Sequence, residues 1–282
     1  MRGDPDDVRR GLPVACPGGG VTRFPQKLRS SGCLKGRQGD MHVDRSSGWR
    51  SRPAQSFRHA VVALGTAPLL LIGAVLGLAA LRSAVLGGGW VLDLDRQVLT
   101  FTSQHPLRGG GHLILQVLAE LGQRGVTLIL LAALLVRQWS RSHTARPAAI
   151  VGSALAMLAL LGEGLKLEVG RLAPRASALG VHAGGVSWPS GHAANTMVCG
   201  GLIVSWLPGL LRTPTSRTDK AKIFAVYGLV LLVGGGALVL LRYHWVSDVL
   251  GGWLLGGVVL GLVACGVRFF DARRQRADDT MS

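Results

Sequence analysis

The sequence predicts an all-α, polytopic membrane protein built as a bundle of six transmembrane helices. The chain has 282 residues, of which 48% are hydrophobic and only 16% are charged. In soluble domains about a quarter of the residues are charged. Aromatic residues make up only 5%, so the apolar content is mostly Leu, Val, Ala and Gly. This composition is typical of helices that pack together in lipid. It excludes a disordered chain, which combines low hydrophobicity with a high charge density.

Six apolar runs are long enough to cross a bilayer whose hydrocarbon core is about 30 Å thick. They cover residues 60–81, 113–136, 147–165, 192–211, 223–241 and 249–269. The second run is the weakest because Glu120, Gln123 and Arg124 interrupt it. We place its outer end near Gly125. Before it, residues 91–102 have apolar side chains at helical spacing, which predicts a helix lying flat on the outer membrane surface.

The segments between the apolar runs predict the orientation in the membrane. Residues 1–58 hold 12 Lys and Arg against 5 Asp and show no apolar period, so we predict a basic, disordered cytoplasmic tail. The connections after the second and fourth runs are also basic, and arginines follow the sixth run. The positive-inside rule therefore places both termini in the cytoplasm of a multi-pass plasma membrane protein. The predicted domains are the tail 1–58, the membrane domain 59–270 and a short cytoplasmic tail 271–282.

The formal net charge of +16 would, in a soluble protein, point to a nucleic-acid partner. Here the excess lies in the tail and in short connections, and the chain between them is too apolar to remain in water. We therefore expect the lipid bilayer as the partner and exclude nucleic acid. The 4 cysteines lack the spacing of a metal site or a disulfide framework, and we expect no metal and no cofactor.

Unusual polar residues occur at the ends of several runs, and the charge count puts all of them on the outer side. Ionisable residues at membrane depth are costly, so their presence points to function. The residues in question are Lys166 after the third run, Ser190, Gly191 and His192 at the start of the fourth, and His244 and Asp248 between the fifth and sixth.

His244 and Asp248 have the i, i+4 spacing that places two side chains on one helix face, provided that the sixth helix starts at His244. A carboxylate in that position can hold one imidazole nitrogen and leave the other as a nucleophile or base. The alternative is an ordinary helix start, with Asp248 near the positive end of the helix dipole.

Ser190 is predicted to cap the fourth helix, with Gly191 and His192 in its first turn. Backbone N–H groups at a helix start bind anions, and His192 beside them can protonate a leaving oxygen. The alternative is a simple capped helix after Pro189. Lys166 is either a phosphate clamp or a lysine whose ammonium reaches the lipid headgroups.

These residues resemble the three phosphatase motifs of the type 2 phosphatidic acid phosphatase (PAP2) superfamily. The family motifs run K-x6-R-P, P-S-G-H and S-R-x5-H-x3-D, and the chain matches their order and spacing from residue 166 to 174, at 189–192 and at 244–248. The resemblance implies a six-helix membrane bundle of the PAP2/acid phosphatase type, which hydrolyses lipid phosphates without a metal.

The resemblance also implies a role for each matching residue. His244 would attack phosphorus and become phosphohistidine, Asp248 would orient it, and His192 would protonate the leaving lipid alkoxide. The phosphoryl oxygens would be bound by Ser190, Gly191 and Lys166.

The chain departs from the family pattern at both motif arginines. Ala173 stands in the place of the first arginine, and Ala237 and Leu238 replace the Ser-Arg pair of the third motif. Such arginines stabilise charge that develops in the transition state, and losing one donor of this kind costs about 10²–10³ in rate.

Three other arginines are candidate replacements and join the predicted phosphate-binding residues. Arg171 and Arg175 flank position 173 by two residues, so in an extended segment all three project on the same side. Arg242 follows position 238 by one helical turn and would lean back toward it. The alternative is that Arg242 is an interfacial arginine whose side chain reaches the headgroups.

The leading hypothesis is therefore a phosphatase that acts on lipid phosphates or isoprenyl diphosphates at the outer face through a phosphohistidine. Candidate substrates are an isoprenyl diphosphate carrier, phosphatidic acid and phosphatidylglycerol phosphate, and a variant reaction passes the phosphoryl group to an acceptor other than water.

The alternative is a catalytically degenerate member of the family that binds lipid phosphates, or acts as a scaffold or lipid transporter. The missing arginines favour this alternative, whereas two histidines with an orienting acid oppose it. Oligomeric state leaves no signal in the sequence.

Overall fold

The computed structural model describes residues 67–120, 124–174, 185–210 and 216–280. They form eight helices: α1 (Ala67–Gly87), α2 (Trp90–Gln104), α3 (Gly110–Glu120), α4 (Arg124–Ser142), α5 (Arg146–Val169), α6 (Gly191–Leu210), α7 (Arg217–Leu240) and α8 (Val246–Thr280). The all-α fold class is confirmed. The predicted tail 1–58 and the candidate phosphate ligand Arg175 lie outside the described residues.

Four of these helices, α1, α5, α7 and α8, are long and apolar enough to cross a membrane. The α3–α4 pair is bent by 45° and adds a fifth span if the two helices form one broken crossing. The bend falls where charged and amide side chains interrupt the second apolar run. α6 is not in this set. The chain is thus a multi-pass membrane protein, and the number of six spans stays a prediction.

The central helix is α8, which packs against α1, α2, α5, α6 and α7. It has 35 residues, which corresponds to about 52 Å at the usual helical rise. Two of its glycines allow α6 to approach very closely: a Cβ at Gly252 would lie 2.5 Å from the Ser190 carbonyl oxygen, and one at Gly256 would lie 2.6 Å from Met197. Small residues at such crossings are typical of membrane helices. As a result, the start of α6 lies directly against the first turns of α8.

α2 is an amphipathic helix with three distinct sides. Its buried side consists of Val91, Asp95 and Thr102. Its exposed apolar side consists of Trp90, Leu94 and Phe101. Asp93 and Arg96 lie on the remaining side, where their side chains approach to 3.4 Å. The helix predicted at 91–102 is confirmed, and its position on the outer membrane surface stays a prediction.

The far end of α8 continues through residues that the sequence suggests are a separate tail. The helix runs to Thr280 without a break at position 271. Asp271 pairs with Arg146, the first residue of α5, at 2.6 Å. The domain boundary between 270 and 271 stays a prediction, but most of the predicted tail is helical.

Candidate active site

The three motif segments meet at one end of the bundle, where α5 ends and α6 and α8 begin. An isolated antiparallel bridge joins Leu172, just after α5, to Val186, just before α6. Within it the Ser187 N–H donates to the Arg171 carbonyl at 2.7 Å. The first motif and the Pro-Ser-Gly-His segment are therefore held side by side.

The start of α6 is tied to the first turn of α8 by a direct backbone contact. The Ser190 N–H donates to the Asp248 carbonyl at 2.9 Å. The Ser190 Oγ accepts the Ala193 N–H at 3.3 Å, which confirms Ser190 as the N-cap of α6. Deeper in the bundle, the Asn195 side-chain amide donates to the Thr127 hydroxyl at 2.8 Å and joins α6 to α4.

Lys166 lies beside this helix start. A Cβ built on Gly191 would be 3.9 Å from the Lys166 Nζ, so the ammonium is next to the first residue of α6. The ammonium also donates to Glu163 at 2.9 Å. Because first-turn N–H groups have no intrahelical acceptor, a lysine in this place adds positive charge to a helix end that already favours anions.

The two predicted catalytic histidines are neighbours. The ring centroids of His192 and His244 are 6.0 Å apart, with an angle of 61° between the planes. His192 comes from the first turn of α6, whereas His244 lies between α7 and α8. The structure thus brings together two imidazoles that are 52 positions apart in the sequence.

Asp248 contacts His244, although the reason differs from the one the spacing suggests. The His244 Nδ1 lies 3.4 Å from the Asp248 Oδ2. His244 is not on a helix face, because α8 begins only at Val246. Instead the buried Asp248 carboxylate turns back and accepts the Trp245 N–H at 3.0 Å, as the acid of a capping box does. The prediction of a shared helix face is therefore wrong, while the contact itself is present.

Arg171 is engaged with two carboxylates and a hydroxyl. Its Nη1 donates to the Ser247 Oγ at 2.6 Å and to the Asp248 Oδ1 at 3.4 Å, and its Nη2 donates to the Asp95 Oδ2 at 2.8 Å. The guanidinium also lies 4.7 Å from the centre of the Trp245 ring. Arg171 thus reaches the oxygen of Asp248 that His244 does not contact. Its predicted contact with a phosphoryl group stays a prediction.

Asp95 is a site residue that the sequence analysis missed. It projects from the buried side of α2 and is only 2% exposed. Its Oδ1 accepts the Ser247 N–H at 3.0 Å, and its Oδ2 accepts the Ser247 hydroxyl at 2.5 Å. The available signal is an acidic residue on the otherwise apolar side of an amphipathic helix, which is costly unless the acid has partners.

Arg242 is not where a continuous helix would place it. α7 ends at Leu240, and Arg242 has a left-handed backbone with φ of 60°. The prediction that it shares a helical face with Leu238 is therefore wrong. Its Nη1 lies 3.4 Å from the Ser103 Oγ on α2. Leu238 itself is 3% exposed and belongs to an apolar cluster with Ala119, among others.

The described residues contain no group of three or more His, Cys, Asp or Glu side chains that could hold a metal ion. The titratable groups of the site are instead arranged as pairs. His244 faces Asp248, Arg171 bridges Asp95 and Asp248, and Lys166 pairs with a glutamate.

Fold and site together define a polytopic membrane protein that gathers two histidines, a buried carboxylate and a lysine around a helix start at one end of its bundle. Residues 147–271 match the model of the PAP2 superfamily. The match covers less than half of the chain, and it confirms the resemblance found in the motifs.

The chain is similar to a protein and to a solved structure from Bacillus subtilis. Phosphatidylglycerophosphatase B of strain 168 is 33% identical over 104 residues, which are 37% of this chain and 50% of that protein. The alignment therefore spans only half the length of the relative. A solved structure described as the first transmembrane PAP2 type phosphatidylglycerolphosphate phosphatase has a TM-score of 0.59 at 23% identity. It covers 72% of this chain and 96% of that chain, and this likeness shows the fold alone.

Proposed function

We propose that the protein is a phosphatase that removes a phosphoryl group from a membrane lipid phosphate or diphosphate. The observation that carries the proposal is the trio of His192, His244 and Asp248, with the two rings 6.0 Å apart and the carboxylate 3.4 Å from one of them. A protein that only binds lipid phosphates needs positive charge and N–H groups. It does not need a second imidazole or an acid aligned on the first one.

In the proposed reaction His244 is the nucleophile. With Nδ1 facing Asp248, the lone pair of Nε2 attacks phosphorus and the bond from phosphorus to the lipid oxygen breaks. His192 gives its proton to the leaving oxygen, so that a monophosphate releases a neutral alcohol and a diphosphate releases a lipid monophosphate. Water then attacks phosphorus and the bond from phosphorus to Nε2 of His244 breaks. His192 accepts one proton of the water, and inorganic phosphate leaves. Asp248 stabilises the positive charge that His244 gains in the first step.

The phosphoryl oxygens are held, in this proposal, by the start of α6 and the lysine next to it. Ser190, the Gly191 N–H and the Lys166 ammonium supply donors in a helix end that attracts anions. Arg242 is a further candidate, because its contact with the Ser103 hydroxyl is long, at 3.4 Å. We assign Arg171 to holding Asp248, since its guanidinium already contacts that carboxylate.

The substrate class follows from the surroundings of the site. The helix starts that carry it lie at the end of apolar helices, so a lipid tail can remain in the bilayer while its phosphate enters. The similarity to phosphatidylglycerophosphatase B favours phosphatidylglycerol phosphate among the candidates. Phosphatidic acid and an isoprenyl diphosphate are the alternatives that the test must include.

The second candidate function is binding without turnover. It is favoured by the loss of both family arginines, because Ala173 has no donor side chain and Leu238 lies in an apolar cluster. A protein of this kind would retain lipid phosphates at Lys166 and the start of α6 but release no phosphate.

Phosphate release from the purified full chain in detergent separates the two functions. The panel contains the three lipid classes, each with EDTA present, and His244→Ala serves as the control. We expect release from at least one lipid and none from the variant. Saturable retention of lipid phosphate without release in the wild type would overturn the enzyme and favour the binder. A parallel assay with an added alcohol tests transfer to an acceptor other than water.

The proposed orientation, with the site outward and both termini inside, has its own test. In a background without native cysteines, Leu107→Cys lies in the connection between α2 and α3, and Thr144→Cys in the basic connection between α4 and α5. A membrane-impermeant thiol reagent added to intact cells should label position 107 and miss position 144. The reverse pattern would contradict the outward-facing site.

A further inference from the structure

We propose that Asp95 is a positioning residue of this site. From α2 it fixes Arg171 and the first turn of α8, and through them it keeps the Asp248 carboxylate aligned on His244. The inference rests on the proposed function, because its decisive readout is the rate of phosphate release.

The hydrogen-bond partners of Asp95 are residues of the candidate active site. The carboxylate accepts the Ser247 N–H and hydroxyl and one guanidinium nitrogen of Arg171. The side chain of Asp95 is 1% exposed, and that of Arg171 is 15% exposed. A carboxylate buried to this extent is costly unless charged and hydrogen-bonding groups compensate it. Both kinds of compensation come from residues that also contact, or adjoin, Asp248.

The first turn of α8 is capped by two carboxylates rather than one. Asp248 accepts the Trp245 N–H at 3.0 Å, and Asp95 accepts the Ser247 N–H at 3.0 Å. The N–H groups of a first turn lack intrahelical acceptors, and acids near them are stabilised by the helix dipole. Because His244 immediately precedes Trp245, the geometry of this turn also sets the position of the imidazole.

The side chains form a row in which acidic and basic groups alternate. Asp95 is followed by Arg171, then by Asp248 and then by His244, and the closest contacts along the row are 2.8 Å, 3.4 Å and 3.4 Å. Without the charge of Asp95, the guanidinium has only one carboxylate left in the row. It is then drawn closer to Asp248, where it competes with His244 for the carboxylate.

The test is the Asp95→Asn variant of the full chain, assayed in detergent on a lipid phosphate that the wild type cleaves. We expect kcat to fall about 10- to 100-fold with KM within about twofold, because a positioning residue acts on the chemical step and not on substrate binding. The matched control is Asp93→Asn, which removes a 60% exposed acid from the same helix. Its kcat should equal that of the wild type.

A second comparison separates positioning from a merely structural anchor. If Asp95 acts through Arg171, the double variant Asp95→Asn/Arg171→Gln should be no slower than the slower single variant, because both changes break the same row. Rate losses that multiply would show that Asp95 acts independently of Arg171 and would overturn the inference.

The remaining outcomes also support or overturn the role proposed for Asp95. A folded Asp95→Asn with the kcat of the wild type, or with a change in KM alone, would overturn the inference and leave the proposed function intact. A wild type without phosphatase activity would overturn both. If Asp95→Asn does not fold, Ser247→Ala takes its place, since it deletes the hydroxyl between Asp95 and Arg171 while keeping every charge. A lower kcat would then support the inference, and an unchanged kcat would contradict it.

Discussion

The starts of α6 and α8 each carry or adjoin one histidine of the site, but they are capped in different ways. At α6 the cap is local, since the Ser190 Oγ accepts the N–H of Ala193 three residues later. At α8 one acceptor is Asp248 in the turn itself, and the other is Asp95, which lies 152 residues away from Ser247. A local cap can be identified from a short sequence motif, whereas no motif spacing identifies the partners of a cap that comes from a distant segment.

α7 shows that the local arrangement is also used away from the site. Ser216 and Asp219 form a complete capping box there, with the Asp219 N–H on the Ser216 Oγ at 3.1 Å and the Ser216 N–H on the carboxylate at 3.0 Å. The cap assembled from distant segments at α8 coincides with the proposed nucleophile. This contrast suggests that the long-range contacts serve His244 and not the helix alone.

The largest loss of activity is expected when either histidine is replaced, and the two replacements should act on different steps. His244→Ala should lower kcat by about 10⁴-fold or more and abolish any covalent phosphoenzyme, because the nucleophile is gone. His192→Ala should slow the cleavage of a lipid alkyl ester strongly. An aryl phosphate, whose leaving group needs no proton, should be cleaved at a rate much closer to that of the wild type.

The measurement is a comparison of both substrates on both variants, with trapping of radiolabelled phosphoenzyme. A phosphoenzyme that still forms in His244→Ala would assign the nucleophile elsewhere. Equal losses of His192→Ala on the two substrates would contradict its role as the proton donor.

The next largest effect is expected at Arg242. If Arg242 holds a phosphoryl oxygen in the transition state, Arg242→Ala should lower kcat/KM by about 10²-fold while the protein still folds. Ser103→Ala, which removes the recorded partner of Arg242, serves as the control and should leave kcat/KM unchanged. A nearly silent Arg242→Ala in an active enzyme would assign this arginine to the interface with the headgroups.

The same measurement can be made at position 238, where Leu238 replaces the arginine of the third family motif. Leu238→Arg restores the family pattern, but it buries a guanidinium in an apolar cluster where the leucine is 3% exposed. We expect a lower melting temperature and no gain in activity. A stable Leu238→Arg protein with higher kcat would show that the vacant position can still hold a phosphate ligand.

A smaller effect is expected at the local cap. Ser190→Ala should destabilise the protein by about 1 kcal/mol through loss of the cap, and it should also slow the reaction if Ser190 contacts the phosphoryl group. Ser205→Ala on the same helix is the control, because that hydroxyl only bonds the Gly201 carbonyl inside the helix. Melting temperatures of the two variants in one detergent provide the comparison. Equal values would mean that the cap contributes nothing.

The smallest effect is expected from metal removal. Phosphate release should be the same with and without EDTA, because the proposed reaction uses only imidazole, carboxylate and ammonium groups. Loss of activity in EDTA and recovery with Mg²⁺ would contradict the phosphohistidine mechanism.

Local patterns in the sequence were enough to predict most of the fold. The apolar runs marked the long helices, and the alternation of apolar and polar residues at 91–102 marked α2. The bend between α3 and α4 falls where Glu120, Gln123 and Arg124 weaken the second run. The start of α6 at Gly191 carries polar residues where it faces the site.

The site was predictable where its residues act near their own position in the chain. Motif spacing alone singled out Ser190, His192, His244 and Asp248 as candidates, and their roles stay predictions. Asp95 could not be found in this way, because its partners come from two other segments and only packing brings them together. The predicted position of Arg242 was wrong for a related reason. The helix ends at Leu240, and no proline or glycine follows directly that would have indicated this end.

The distance along the chain between Asp95 and its partners has a consequence for biosynthesis. A ribosome that makes this protein adds Asp95 76 residues before Arg171 and 152 residues before Ser247. Until Arg171 has been made, Asp95 has neither of these partners, and an aspartate in the middle of a bilayer costs about 2.5–3.5 kcal/mol on insertion scales. We therefore expect the acid to disfavour insertion of the nascent α2 into the hydrocarbon core. Its full set of partners exists only once the first turn of α8 has been made.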